Sequence, residues 1–184
     1  MIAVLVIVIF CLIALFWIVA TYNGLIQLRE NVKNGWSQID VQLKRRHDLI
    51  PNLVEVAKGY MAHEKGTLEQ VIKARQMAID ATNLKDKLQA ENMLTGTLRS
   101  LMAVAENYPN LKADQQMLRL QEELTSTENK ISFARQYYND EANRLNVAIQ
   151  SFPDSFVAGF GHFEKVNFFE LDDIQERQAP QVKF

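Results

Sequence analysis

IAVLVIVIFCLIALFWIVA, residues 2–20, runs for nineteen positions without a charged or strongly polar side chain, and nearly everything from Tyr22 to Phe152 carries the spacing of soluble helices. A helix rises about 1.5 Å per residue, so the run covers roughly the 30 Å hydrocarbon thickness of a bilayer and can cross it once. A cleaved secretory signal would need a basic leading segment, an apolar stretch of roughly 7 to 15 residues and a small-x-small cleavage site. No Lys or Arg precedes the run, and Ile18-Val19-Ala20 sets a branched residue where a small one is wanted, so the run reads as a retained anchor. Cys11, the one cysteine, follows Phe10 where lipid attachment requires a small residue, and reads as a buried apolar thiol.

Positive charge close to a span resists translocation. Arg29 and Lys33 follow the anchor, Lys44, Arg45 and Arg46 lie just beyond, and no basic side chain precedes it. The expectation is an N-terminus outside and a cytoplasmic domain on a single-pass protein of the bacterial inner membrane. A net charge of −2 gives no global attraction to nucleic acid. With 7 Gly and 4 Pro in 184 residues little interrupts helices, and the reading is all-α.

Working outward from the anchor, Leu25, Leu28, Val32, Trp36, Ile39 and Leu43 recur at three and four, one side of a helix. No Pro separates this helix from the anchor, which allows one continuous rod with Gly24 and Gly35 as weak points. Pro51 cannot donate a backbone hydrogen bond, so residues 46–51 are a turn, a helix start with Asp48 as N-cap, or a kink. A second stripe runs through Leu53, Ala57, Tyr60, Leu68, Val71, Ile72 and Ala78 to a turn at 80–83. Leu84, Leu88, Glu91, Leu94, Leu98, Leu101, Ala105 and Tyr108 trace a third, with Glu91 its one polar member and Tyr108-Pro109 its end. Met117, Leu124, Ile131, Tyr138, Leu145 and Phe152 fall seven apart, a heptad that argues for coiled-coil-like packing.

These stripes predict a transmembrane helix at 1–20 and an antiparallel up-and-down four-helix bundle over 21–152, with long helices at 21–49, 51–79, 84–108 and 111–152. A Phe-rich segment at 153–170 and a flexible polar tail at 171–184 complete the organisation. Antiparallel neighbours would return the end of the fourth helix towards the membrane.

Site chemistry is sparse. No Glu-x-x-His pair stands ready for a di-iron bundle site, because Lys44, Tyr60 and Gly159 precede His47, His63 and His162 by three. His63-Glu64 lacks the second His of a zinc protease motif, and no glycine-rich phosphate loop or Gly-x-Ser-x-Gly turn is present. The expectation is a non-enzymatic protein without catalytic residues, metal or cofactor. Arg45, Arg46, His47 and Asp48 invite a phosphate or partner site, but charge clusters in bundles commonly pair across helices, here with Glu122, Glu123 or Glu128. Glu91, Asn92, Glu128, Asn129 and Arg135 could likewise form a polar layer that fixes helix register. Phe152, Phe156, Phe160, Phe163, Phe168 and Phe169 crowd into eighteen residues; they either cover the end of the bundle or form a membrane or subunit contact.

Tyr22-Asn23-Gly24-Leu25 and the run from Trp36 through Lys44-Arg45-Arg46-His47-Asp48-Leu49-Ile50-Pro51 to Val54 resemble the LemA family of bacterial membrane proteins. So do Gln89-Ala90-Glu91-Asn92, Tyr108-Pro109, Thr127 to Ile131 with Ala134-Arg135, Tyr138-Asn139-Asp140 and Ser151-Phe152-Pro153. The likeness extends from the anchor to about Glu170. It implies one N-terminal span, an N-terminus outside and an antiparallel helical bundle in the cytoplasm, and supplies no reaction, cofactor or active-site residue. Magnetosome-forming members of the family are linked to membrane invagination, which implies scaffolding or remodelling by analogy.

Three functions remain open at this level: a self-assembling scaffold that organises or remodels the bilayer, an adaptor for another membrane protein such as a protease, and an enzyme or ligand carrier built on His47, Asp48 and Glu91. Its partners on the leading reading are the lipid bilayer and copies of itself. In-cell crosslinking separates the first two, and metal analysis tests the third.

Overall fold

The computed structural model describes residues 1–169, and the polar tail expected at 171–184 lies outside them. Six helices occur among the described residues, with no strand: α1 Ile2–Lys58, α2 Lys65–Asp80, α3 Leu84–Ala105, α4 Pro109–Lys112, α5 Gln115–Gln150 and α6 Asp154–Phe160. The described residues divide into two compact units, one of residues 1–42 with 130–168, the other of residues 43–129 with Phe169.

In the first unit, the initial part of α1 is long and apolar enough to cross a membrane, and none of that window is buried by the protein itself. Cys11 is exposed there, so the expectation of a buried thiol is corrected: its apolar surroundings would have to come from lipid. Beyond the run, Leu25, Val32 and Ile39 turn inward, as do Ile131, Tyr138, Ala142 and Leu145 on α5. A Cβ placed on Gly35 would stand 3.0 Å from the Tyr138 Cα, so glycine is what admits the close approach of α1 and α5. Gly35 is a contact point, and α1 runs unbroken through it and through Gly24. Trp36 meets the edge of Tyr138 at 5.7 Å, and Asn31 donates to the buried Glu141 at 3.1 Å.

The second unit has its own core, drawn from Ile50, Leu53, Val54 and Ala57 on α1, Leu68 and Val71 on α2, Leu94, Leu98 and Leu101 on α3, and Met117 and Leu124 on α5. Pro51 does not end a helix, contrary to the boundaries expected at 49 and 51, and α1 continues to Lys58. Proline removes the hydrogen bond that its N–H would give to the carbonyl four residues back, here that of His47. Arg75 on α2 replaces it, its Nε donating to the His47 carbonyl at 2.7 Å. Asp48 is therefore an exposed interior residue of α1 and not an N-cap. The break falls instead at 59–64, where Tyr60 donates to Asp114 at 2.9 Å and Tyr108 to Glu64 at 3.3 Å.

Asn83 caps α3 by accepting from the Asp86 N–H at 2.8 Å, and Pro109 starts the short α4. The expected third helix to 108 thus ends at Ala105, and the fourth starts at Gln115 after that extra turn. Asp114 accepts from the N–H groups of Gln116 and Met117, each at 2.9 Å. Those bonds, with the Tyr60 hydroxyl, hold its carboxyl below the usual range. Five heptad residues, Met117 to Leu145, are buried, whereas Phe152 lies past the end of α5 and is exposed.

Candidate functional site

Two places draw together residues with more to offer than packing. The first is a buried polar cluster in the second unit. Its centre is Arg46, fully buried on α1. One guanidinium nitrogen, Nη1, donates to Glu128 Oε1 on α5 at 2.7 Å and to Thr95 Oγ1 on α3 at 3.2 Å. The other, Nη2, donates to Glu91 Oε2, also on α3. The second oxygen of Glu91 is 2.9 Å from His47 Nε2. Arg46 Nε is buried with no hydrogen-bond partner among the described residues.

A lone carboxylate at a fully buried position is expensive to keep charged. Burial pushes the Glu91 carboxyl up, but the His47 hydrogen bond and the Arg46 guanidinium outweigh it and hold it below the usual carboxylate range. The cluster thus ties α1, α3 and α5 with charge-assisted bonds whose directions fix which residues face each other. Among the described residues no group of three His, Cys, Asp or Glu side chains is arranged to hold a metal ion.

The polar residues singled out in sequence are therefore only partly united. Arg46, His47, Glu91 and Glu128 come together; Arg45 pairs with Glu123 at 3.7 Å on an exposed surface. Asp48 is exposed and Arg135 belongs to the other unit. Sequence reasoning missed Arg75 and Thr95, since neither stands out by spacing, and the only available signal for Arg75 was the carbonyl that Pro51 leaves without its donor.

The second place is the exposed apolar surface of the first unit. A groove of about 720 Å³ lies along α1 and α5, lined by Ser37, Gln38, Val41, Lys130, Phe133 and Tyr137 among others. Val41 is 62% and Phe133 72% exposed, large apolar side chains with no cover. The phenylalanine cluster divides. Phe163 and Phe169 are buried, Phe168 is partly exposed, and Phe152, Phe156 and Phe160 stand out at 81%, 62% and 88%. The protein itself covers two of these rings and leaves three uncovered.

A model of the LemA family matches residues 35–184. The magnetosome protein MamQ of Magnetospirillum gryphiswaldense is 23% identical over 174 residues, covering 80% of this chain and 64% of its own. Magnetosome protein MamQ 2 of Paramagnetospirillum magneticum is 25% identical over 175 residues, covering 81% and 64%. Protein LemA of Metamycoplasma hominis is 25% identical over 164 residues, covering 87% and 74%. The chain spans 64% of the length of the magnetosome relatives it matches.

Proposed function

This chain belongs to the LemA family, and from that membership and the geometry of its exposed surfaces we propose that it is a non-enzymatic, membrane-anchored scaffold that self-assembles and organises or remodels the bilayer. The anchor is the apolar part of α1. The positive charges at Arg29, Lys33 and Lys44 to Arg46 favour an N-terminus outside the inner membrane and a cytoplasmic helical domain. An antiparallel up-and-down bundle is the architecture we adopt for that domain; in its support, Asn31 bonds Glu141 while Gly35, further along α1, meets Tyr138, earlier on α5.

The observation that carries self-assembly is the pair Val41 and Phe133, 62% and 72% exposed in one groove. Exposed apolar clusters of this kind mark contact surfaces. Copies anchored in one membrane share a plane and an orientation, so their effective concentration is high and a modest side-by-side contact suffices. Relatives named as magnetosome proteins favour work at a membrane, and the third of their length outside the match is not carried over. A tethered adaptor for another membrane protein, such as a protease, would use the same groove.

The test is the mass of the full-length protein in nanodiscs and mild detergent, with Phe133→Glu as the variant. The expected result is a defined multimer that Phe133→Glu dissociates without lowering the melting temperature, since that ring packs little within its own chain. A monomer in every lipid and detergent would refute assembly. A crosslink from residue 133 in cells to one dominant foreign protein would replace the scaffold with the adaptor.

A further inference from the structure

We propose that Phe152, Phe156 and Phe160 form a wedge that inserts into the phospholipid leaflet adjoining the helical domain, beside the point where α1 leaves the bilayer. The proposal deepens the membrane-organising reading: it rests on the anchor and not on self-assembly.

Phe156 and Phe160 are four residues apart on one short helix, the spacing of one helix face. Phe152 lies in the turn just before α6, and its ring meets that of Phe156 edge-on at 5.9 Å. The opposite face of α6 carries Val157 and Ala158, 6% and 1% exposed, which hold the element on its own unit. A surface helix normally turns charged and polar residues outward. Here the outward residues are the most apolar available, while the inward ones are small.

The position of α6 identifies what covers those rings. Gly161, the residue after Phe160, lies against α1: a Cβ there would be 3.2 Å from the Tyr22 ring and 2.6 Å from that of Phe163. Phe163 itself meets the Tyr22 ring edge-on at 5.8 Å and lies under the Arg29 guanidinium at 5.4 Å. The end of α6 is thus clamped to α1 at Tyr22, two positions beyond Ala20, the last residue of the apolar run. Two residues of helix rise about 3 Å. Interfacial elements bury their apolar faces about 5–10 Å into the headgroup and acyl boundary, so Tyr22 and the rings held beside it fall within that zone.

The stripe continues an apolar surface that already belongs to lipid. None of the span's apolar window is buried on the same unit, and with the span in a bilayer a second protein reaching the rings would have to displace the lipid around it. Insertion on one side of the anchor expands one leaflet locally and not the other, which biases the bilayer to bend. It also gives the domain a second foothold, so it cannot swing freely about α1.

The test uses the full-length chain with Cys11→Ala and a single cysteine at 156, 160 or 133, labelled with an environment-sensitive fluorophore, at one copy per nanodisc. Position 133 is the control, because Val41 in its groove is nineteen residues from Tyr22 along α1, about 28 Å. Lipids with a nitroxide on an upper acyl carbon are expected to quench labels at 156 and 160 several-fold more than at 133. Equal quenching at the three positions overturns the proposal. So does a blue-shifted, unquenched signal at 156 and 160 in discs with several copies, which makes the rings subunit contacts. Phe156→Ser with Phe160→Ser should leave the melting temperature unchanged. A monomeric mass with strong quenching would end the scaffold and keep the wedge.

Discussion

Replacing Arg46 by Met is the sharpest test of what the buried cluster does. Methionine fills the stem of the side chain and removes the charge, leaving Glu91 fully buried with His47 as its remaining partner in the cluster and Glu128 half-turned to solvent. Breaking a buried ion pair from one side costs about 3–5 kcal/mol. Removing the unpartnered Nε returns about 1 kcal/mol of that, for a net loss of about 2–4 kcal/mol. At about 2–4 °C per kcal/mol for a chain of this size, the melting temperature should fall by roughly 4–16 °C. Glu91→Gln should cost less, about 1.5–3 kcal/mol, because Arg46 keeps Glu128 at 2.7 Å. The pH dependence follows from the Glu91 carboxyl, which is held below its ordinary value in the fold. Its contribution is present above the unfolded value near about 4.3 and is lost as pH falls through the folded one. The gap between wild type and Arg46→Met should thus be widest at neutral pH and narrow below about pH 4. The assay is thermal unfolding followed by helix signal, in one detergent, from pH 3 to pH 8. A loss under about 2 °C at pH 7, or a gap that widens in acid, would refute the assignment.

Two further predictions concern the backbone of α1. Arg75→Met should destabilise by about 1–3 kcal/mol by orphaning the His47 carbonyl, and much less in a Pro51→Ala background, where an N–H returns to that oxygen; equal losses in both backgrounds would show that Arg75 acts through something else. Gly24→Ala, with nothing within 4 Å of the new methyl, should stabilise by about 0.5–1 kcal/mol, whereas Gly35→Val should destabilise by about 1–3 kcal/mol because Tyr138 is already in contact; thermal unfolding of both reads the contrast.

The hydrophobic stripes were legible because they are local: Leu25 to Ile39, Leu94 to Leu101 and Met117 to Leu145 are buried at the spacings that the sequence displays. Glu91 was legible too, as a carboxylate on an otherwise apolar face, and its burial follows from that placement. Pro51 misled because the rule for proline counts the lost N–H and cannot see a donor 28 residues away that takes up the freed carbonyl. With a boundary set at Pro51, the real break at 59–64 passed inside a predicted helix. The short α4 and α6 span four and seven residues, too few to display a period. The phenylalanines were visible as a cluster but not as two sets, because the division depends on Gly161 folding against Tyr22 and Phe163.

The two units divide what the chain has to offer. In the second, the charged groups that could do chemistry are spent on one another: the Arg46 guanidinium holds Glu91 and Glu128, and Glu91 holds His47. In the first, the large exposed side chains named above are apolar: the span, Val41 with Phe133, and Phe152, Phe156 and Phe160. Apolar surface of that kind does nothing to a bond in a small molecule, but removing it from water drives association with lipid or with another chain. On the proposed reading the span fixes the molecule in one plane, the Phe156 and Phe160 rings insert beside it, and the groove for a neighbouring copy lies roughly 28 Å further along α1. The two proposals assign insertion and assembly to different residues, so a charge at Phe133 and serines at Phe156 and Phe160 should abolish one without the other, and a membrane-bending activity that needs both should be lost in either variant.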